Sequence, residues 1–172
     1  MANMIGYRQL SIMFLFLFLS GCATMGQHPE DPFETVNRHI FKFNDDVDKA
    51  VLKPLAEGYK TVMPQPLDQS VSNFFSNLND VLVVTNDLFQ LKFEQAASDL
   101  GRFLINSTAG LVGLVDVATS FGLHKHEEDF GQTLGYWGLE SGPYLVLPFL
   151  GPSTVRDTIG QSVDFFLDPR YY

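Results

Sequence analysis

The architecture is set by residues 31–55, which read DPFETVNRHIFKFNDDVDKAVLKPL. The segment opens with Asp31-Pro32-Phe33-Glu34, in which an N-cap acceptor is followed by proline at the first helical position and glutamate at the third. Apolar side chains then recur every three or four residues, so they share one stripe of a helix. They are Phe33, Val36, Ile40, Phe43, Val47, Val51 and Leu55. The pattern predicts an amphipathic helix that Pro54 kinks or ends.

Further helices follow with the same spacing of apolar residues. Residues 67–78 form a second amphipathic stretch, and Asn79-Asp80 offers a cap for a separate short segment that runs to Leu88. Residues 93–104 predict another helix, ended by Gly110, and residues 155–166 predict the last one. Alternating strand patterns are scarce before residue 110. We therefore predict an all-α protein with a single domain.

The segment near 130–155 differs from these helices because it is apolar and rich in glycine, proline and aromatic residues. Glu140 is its only charged residue. Pro143, Pro148 and Pro152 exclude one continuous helix, so we expect turns and short elements at an interface or inside the protein. Tyr136, Trp137 and Tyr144 are aromatic types that favour a membrane interface, although filling the core is an equally simple role for them.

The N-terminus resembles a bacterial lipoprotein signal. Residues 1–21 contain the basic residue Arg8 and the apolar run 12–19, which is too short to span a bilayer. Small residues then precede Cys22, the only cysteine of the chain and the expected site of lipid attachment. The alternative is an ordinary signal peptide with a free cysteine. Residues 22–30 would form a tether, and Ala23 in place of aspartate favours the outer membrane.

Composition and motifs exclude several classes of function. The 172 residues carry a net charge of −9 without a basic run, which argues against nucleic-acid binding. Ser141 lacks the Gly-x-Ser-x-Gly setting of a hydrolase nucleophile. His124-Lys125-His126 and the acidic residues 127–129 are interpreted as a solvated polar loop, since two histidines make an incomplete metal site. We therefore expect no enzyme, no cofactor and no metal.

Several blocks of the chain are similar, in order and spacing, to the MlaA (VacJ) lipoproteins. The blocks are Asp31-Pro32-Phe33-Glu34 with Asn37-Arg38, Phe41-Lys42-Phe43-Asn44, Val62-Met63-Pro64-Gln65-Pro66, Ser72 to Leu78, Arg102 to Ser107, Gly113 to Ala118, Phe130 to Gly135, Gly142-Pro143-Tyr144, Leu147-Pro148, Gly151 and Arg156-Asp157. They cover nearly all of residues 31–172. Members of this family usually continue beyond the position of Tyr172, so the sequence is either a fragment or a short member of the family.

The resemblance implies a ring-like helical domain embedded in the periplasmic leaflet of a Gram-negative outer membrane. It also implies a role in the Mla pathway, which removes mislocalised phospholipids from the outer leaflet and passes them to a periplasmic, MlaC-like carrier. Trimeric porins of the outer membrane are the implied partners. The alternatives are a structural, porin-associated lipoprotein without lipid transport and a phospholipase, which the missing nucleophile motif disfavours.

Phenylalanine stripes are the expected lining of the lipid path, because wet apolar side chains are costly unless lipid covers them. The candidates are Phe41, Phe43, Phe74 and Phe103. Asparagine- and aspartate-rich turns would solvate the headgroup.

Overall fold

The computed structural model describes residues 31–171. The predicted signal peptide 1–21, Cys22 and the tether to residue 30 lie outside the described residues. The helices and strands are α1 (Glu34–Val47), a π-helical turn (Asp48–Leu52), α2 (Lys53–Val62), α3 (Gln65–Phe89), α4 (Phe93–Thr108), a 3₁₀ turn (Ala118–Phe121), α5 (Phe130–Tyr136), β1 (Tyr144–Leu147), β2 (Gly151–Thr154), α6 (Val155–Leu167) and a 3₁₀ turn (Pro169–Tyr171).

The first helix begins close to its predicted start but does not end at Pro54. Asp31 Oδ1 accepts the backbone N–H of Phe33 at 3.2 Å, so it holds the turn ahead of Glu34. Helix α1 continues through the π-helical turn into α2, and the Lys53 N–H donates to the carbonyl of Asp48, five residues back. The wider turn ends two residues before Pro54, whose missing N–H and bulky ring do not fit regular α-helical bonding.

Helix α3 is one continuous element of 25 residues, so the predicted break at Asn79-Asp80 is wrong. The Asp80 side chain is fully buried and forms an ion pair with Lys125. Its second oxygen lies 3.8 Å from Nε of Arg102 on α4. These partners are distant in sequence, so a residue type that usually caps a helix is accommodated in the middle of one.

Helices α3 and α4 are connected by residues 90–92 and pack closely together. Helix α4 ends at Thr108, as the sequence predicts. Gly110 lies in a crowded turn, where a Cβ atom would come within 2.2 Å of the carbonyl oxygen of Val115. The glycine is therefore required by the close approach of two backbone segments.

The apolar segment 130–155 forms a short helix and a β-hairpin. Strands β1 and β2 pair antiparallel, with Tyr144 opposite Thr154 and Leu147 opposite Gly151. Helix α6 follows at once, and Thr154 caps it by accepting the Asp157 N–H. The predicted helical fold and the predicted last helix are confirmed, and the hairpin is the one sheet among the described residues. Within residues 31–171, no helix has both the length and the apolar character to cross a membrane.

Candidate lipid-facing surface and polar cavity

The exterior of residues 31–171 is unusually apolar. Val62, Phe149 and Phe121 expose 83%, 71% and 71% of their surface. Other exposed apolar side chains lie on α1 to α4, on α6 and on the connecting turns, among them Val36, Phe41, Leu52, Leu55, Leu67, Phe75, Leu88, Phe93, Leu104, Leu111, Ile159, Phe165 and Phe166. Large exposed apolar patches are rare on soluble monomers, and where they occur they mark surfaces that a partner or a lipid covers.

The interior is correspondingly polar. Leu82, Val83, Ala96, Ala118 and Val146 are the buried apolar side chains among the described residues. Buried polar side chains are more numerous: Asn37, Asn77, Asp80, Asn86, Asp87, Gln90, Asp99, Arg102, Asn106, Thr133, Ser153, Asp164 and Asp168. A soluble protein has the reverse distribution, because burial of apolar surface from water drives its folding. Hydrogen bonds and ion pairs therefore specify much of this interior.

Arg102 connects two parts of this interior. Its guanidinium donates to Asp116 Oδ2 at 3.2 Å and to Thr119 Oγ1 at 3.0 Å, and it also binds the carbonyl of Leu123 at 2.5 Å. Burial alone would raise the pKa of Asp116. Hydrogen bonds from Thr119, Asn106 and Arg102 outweigh burial and lower this pKa to about 2. The arrangement fixes the turn after α4 against the helix.

The four candidates for the lipid path are distributed over two parts of the fold. Phe41 and Phe43 are exposed on α1, which packs against β1, and Phe43 contacts Phe149 edge-to-face with 5.3 Å between ring centroids. Phe74 and Phe103 are half-buried on the α3–α4 pair. All four retain accessible surface, and their part in a lipid path remains a prediction.

The three candidates for membrane contact are exposed near one another in the chain. Tyr136 and Trp137 expose 54% and 62% of their surface and contact each other edge-to-face. The indole N–H of Trp137 donates to the carbonyl of Phe89 at 3.0 Å, which leaves the apolar part of the ring outside. Tyr144, at the start of β1, is also exposed. These three side chains therefore do not fill the core, which is the alternative role that the sequence allows.

Two asparagines attach the hairpin to α1. Asn37 donates to the carbonyl of Tyr144 at 3.1 Å and accepts the Val146 N–H at 2.9 Å. Asn44, two helical turns later, donates to the carbonyl of Leu147 and accepts the Phe149 N–H, both at 2.9 Å. Each side-chain amide thus pairs with one backbone carbonyl and one backbone N–H of the hairpin, as a neighbouring strand would. Sequence reasoning missed this contact, for which the spacing of seven residues between two asparagines on one helix is the available signal.

A cavity of about 590 Å³ lies between the 127–132 segment, α6 and the C-terminal turn. Its wall combines carboxylates with apolar side chains, and the lining residues are Asn79, Leu82, Glu127, Glu128, Asp129, Gln132, Leu150, Gln161, Asp164, Phe165, Asp168, Arg170 and Tyr171. Phe165 and Tyr171 stack with 4.5 Å between centroids. The cavity therefore offers polar and apolar surfaces side by side.

The carboxylates of this wall are held in place by donors. Asp164 accepts the Phe130 N–H and the side-chain amide of Asn86, although burial still raises its pKa. Burial would also raise the pKa of Asp168, but its ion pair with Arg170 lowers it. These bonds fix the positions of Asp164 and Asp168, so this part of the wall is preorganised.

The 124–129 segment is a loop, as the sequence predicts, but it is only partly solvated: His124, Glu127 and Asp129 are exposed, whereas the other side chains bind the helices. Lys125 pairs with Asp80, and His126 Nδ1 lies 2.8 Å from Oδ2 of the buried Asp99. Glu128 receives Lys92 Nζ at 2.6 Å, and two glutamine side chains also donate to it. The acids and bases attach this segment to α3 and α4. Within residues 31–171, no group of three or more His, Cys, Asp or Glu side chains is arranged to hold a metal.

An apolar exterior around a hydrogen-bonded, polar interior defines a class of helical protein whose surface is suited to lipid rather than to water alone. The MlaA lipoprotein family model matches residues 29–172. The chain therefore belongs to the MlaA lipoprotein family.

Relatives and a solved structure agree with this assignment. The intermembrane phospholipid transport system lipoprotein MlaA of Escherichia coli is 37% identical over 155 residues, which cover 86% of this chain and 62% of that protein. An uncharacterised protein of Rickettsia typhi is 38% identical over 143 residues, or 83% of this chain and 57% of the relative. The chain thus spans about three fifths of the length of these relatives. A solved structure described by the words "Structural basis for maintenance of bacterial outer membrane lipid asymmetry" superposes on this chain with a TM-score of 0.71 and 35% sequence identity. The match covers 79% of this chain and 70% of the chain in that structure.

Proposed function

We propose that this protein is an outer-membrane lipoprotein of a phospholipid transport system. It removes mislocalised phospholipid from the outer leaflet of the Gram-negative outer membrane and passes it to a soluble carrier in the periplasm. The observation that carries the proposal is the apolar exterior around a polar interior, together with an amphipathic cavity. Membership of the MlaA family and the name of the Escherichia coli relative support it.

Lipid covers the exposed apolar surface in this proposal. Leaving a large apolar side chain in water costs about 1.5 to 3 kcal/mol relative to burial. Phe43 on α1 and Phe149 in the hairpin turn are in contact and both exposed, and Phe41 is exposed on the same helix. Acyl chains that cover such a surface remove this cost, so α1 and the hairpin would lie at the level of the membrane interface. Tyr136, Trp137 and Tyr144 contact the same interface.

The polar cavity supplies the route for the headgroup. A phospholipid that leaves its leaflet must keep its headgroup hydrated or hydrogen-bonded, because an unpaired buried polar group costs several kcal/mol. The cavity wall contains carboxylates together with the apolar side chains of Leu82, Leu150 and Phe165, so it offers contacts to a headgroup and to acyl chains. Transfer along such a wall requires no covalent chemistry.

Anchoring and partners complete the proposal. Diacylglycerol on the Cys22 thiol and acylation of the new N-terminus would hold the protein in the periplasmic leaflet of the outer membrane. A ring-like helical domain would sit in that leaflet beside a trimeric porin, and the carrier would dock from the periplasm. A purely structural, porin-associated lipoprotein is the competing function.

Mass spectrometry of the protein extracted together with its native membrane tests the proposal. The expected result is an acylated N-terminal Cys22, co-isolated porin and phospholipid that remains bound after exchange of the surrounding detergent. A porin complex without bound phospholipid would favour the structural role, and lysophospholipid or free fatty acid produced on incubation would indicate a phospholipase. An unacylated N-terminus would contradict the proposed anchor.

A further inference from the structure

Two buried carboxyl groups face each other between α3 and α4. Asp87, near the end of α3, and Asp99, on α4, have no solvent-exposed surface. Their side chains are within hydrogen-bonding reach of each other. Among the described residues, no N–H or O–H group donates to either oxygen of Asp87 or to Oδ1 of Asp99. Two carboxylates in this position repel each other, and a single proton shared between them supplies the missing donor.

The charges that surround the pair leave no permanent cation for it. The neighbouring acids Asp80, Asp116 and Glu128 already pair with Lys125, Arg102 and Lys92, respectively. Arg102 Nε also faces Asp80 at 3.8 Å. On the side of the 124–129 segment, His126 Nδ1 faces Asp99 at 2.8 Å, and its charge depends on pH. The pair thus depends on protons for its neutralisation.

The electrostatics of the site agree with this geometry. Burial, together with the charges of Asp99 and Glu128, raises the pKa of Asp87 to about 7, although Lys92 opposes the shift. An ordinary aspartate has a pKa near 3.9. Asp87 therefore loses its proton near neutral pH rather than in acid.

The 124–129 segment connects this pair to the cavity. His126 binds Asp99, and Glu128 binds Lys92 between α3 and α4. Glu127, Glu128 and Asp129 form part of the cavity wall. We propose that Asp87 and Asp99 form a proton-binding site whose occupancy holds the 124–129 segment against the α3–α4 connection. Loss of the proton leaves two buried anions in contact and loosens this segment at the cavity.

The test is a carboxyl titration of the acylated, full-length protein in phosphatidylethanolamine–phosphatidylglycerol nanodiscs. Carbon-13 NMR of labelled aspartate follows the ionisation, and hydrogen exchange follows the backbone amides of residues 124–129. The expected result is a carboxyl step near pH 7 that Asp87→Asn abolishes. Protection of these amides, corrected for intrinsic exchange, should fall by up to about tenfold per pH unit from about pH 4 up to this step, level off above it, and become independent of pH in Asp87→Asn.

Two control variants separate this pair from other groups. Asp116→Asn removes a carboxyl with a depressed pKa and should leave the step in place. His126→Gln removes the histidine that contacts Asp99, and the carboxyl step should persist. A step that disappears in His126→Gln but remains in Asp87→Asn would overturn the proposal. In the unmodified protein, ionisation of every aspartate below about pH 5 would overturn it as well, whatever the folding of the variants.

The inference is independent of lipid transport, because the measurements report on protons and backbone amides alone. A protein that transports no lipid but shows the carboxyl step would refute the proposed function and leave the proton site intact.

Discussion

Side-chain amides and carboxyl groups hold the elements of this protein together, whereas apolar contacts do so in most protein cores. Asn37 is almost fully buried and satisfies three partners, namely Asp31 and two backbone groups of β1. Asn44 repeats the pattern at the turn of the hairpin. The position of the hairpin on α1 therefore depends on two individual side chains, which makes it sensitive to single substitutions.

Asn37→Ala is expected to lower the free energy of unfolding by about 1 to 3 kcal/mol, because it leaves a buried N–H and a partly buried carbonyl of β1 unpaired. Chemical denaturation of the protein in detergent measures the loss. His39→Ala is the matched control, since this exposed ring binds only the carbonyl of Thr35 in its own helix. Equal stability of both variants would contradict an anchoring role for Asn37.

The pH dependence of stability follows from the raised pKa of Asp87. The folded protein keeps a proton on this carboxyl up to about pH 7, whereas the unfolded chain releases it near pH 4. The proton-linked contribution is complete below about pH 4 and declines as pH rises to about 7, after which it stays constant. Denaturation at several pH values should show this decline, and Asp87→Asn should flatten it. A stability that rises over this interval in the unmodified protein and is unaffected by Asp87→Asn would contradict the assignment.

Among the helices, α5 and α6 show how small residues determine packing. A Cβ atom on Gly160 of α6 would lie 2.3 Å from the backbone nitrogen of Gly131 and 2.6 Å from its Cα atom. The helices approach closely because neither has a side chain at this point. Their contact also places Asp164 on the N–H of Phe130 and so shapes one side of the cavity.

Gly160→Ala is expected to separate α5 from α6 and to cost about 1 to 3 kcal/mol of stability, since backbone cannot yield as a flexible side chain does. Gly58→Ala in α2 is the control, because no atom lies within 4 Å of its added Cβ atom. That control should be neutral or stabilising by about 0.5 to 1 kcal/mol. Thermal unfolding compares the two variants, and a larger loss in Gly58→Ala would refute the packing argument.

Periodicity predicted most of the helices but not how they are interrupted. The spacing of apolar residues identifies α4 and α6 because each keeps one apolar stripe along its whole length. It misplaces a helix cap at Asn79-Asp80, since the partners of Asp80 come from α4 and from residue 125. The sequence likewise predicts a solvated loop at 124–129, because the partners of its charged side chains lie far away in the chain. Local sequence contains no information about partners that only the tertiary fold brings together.

The candidate site shows the same limit. The excess of apolar residues in the sequence predicts apolar side chains outside the core, and Phe41, Phe43, Tyr136 and Trp137 are exposed. The buried Asp87 and Asp99 and the asparagine contacts of the hairpin were missed, because a polar residue is expected at the surface unless its partner is known. In this protein many polar side chains are buried and many apolar ones are exposed, so the rule that polar residues lie at the surface mispredicts the interior.

The distribution of apolar and polar side chains over the whole molecule leads to a prediction about lipid movement. Phe43→Asp places a charge in the exposed aromatic contact between α1 and the hairpin, where we propose that acyl chains lie. It should impair removal of phospholipid from the outer leaflet while acylation remains intact. His39→Asp adds the same charge to the same helix at a position that is already polar, and it should have little effect. Surface phospholipid and detergent sensitivity of the cells distinguish the two, and wild-type values for Phe43→Asp would contradict this use of α1.

The most direct test is the amount of phospholipid in the outer leaflet of cells that lack the gene, measured with a membrane-impermeant enzyme that labels surface phospholipid. We predict a severalfold rise over the parent strain and a return to the parental value when the full-length gene is restored. Conversion of Cys22→Ala should abolish this return, because the protein then lacks its anchor. Outer-leaflet phospholipid that is unchanged by loss of the gene would contradict the proposed transport.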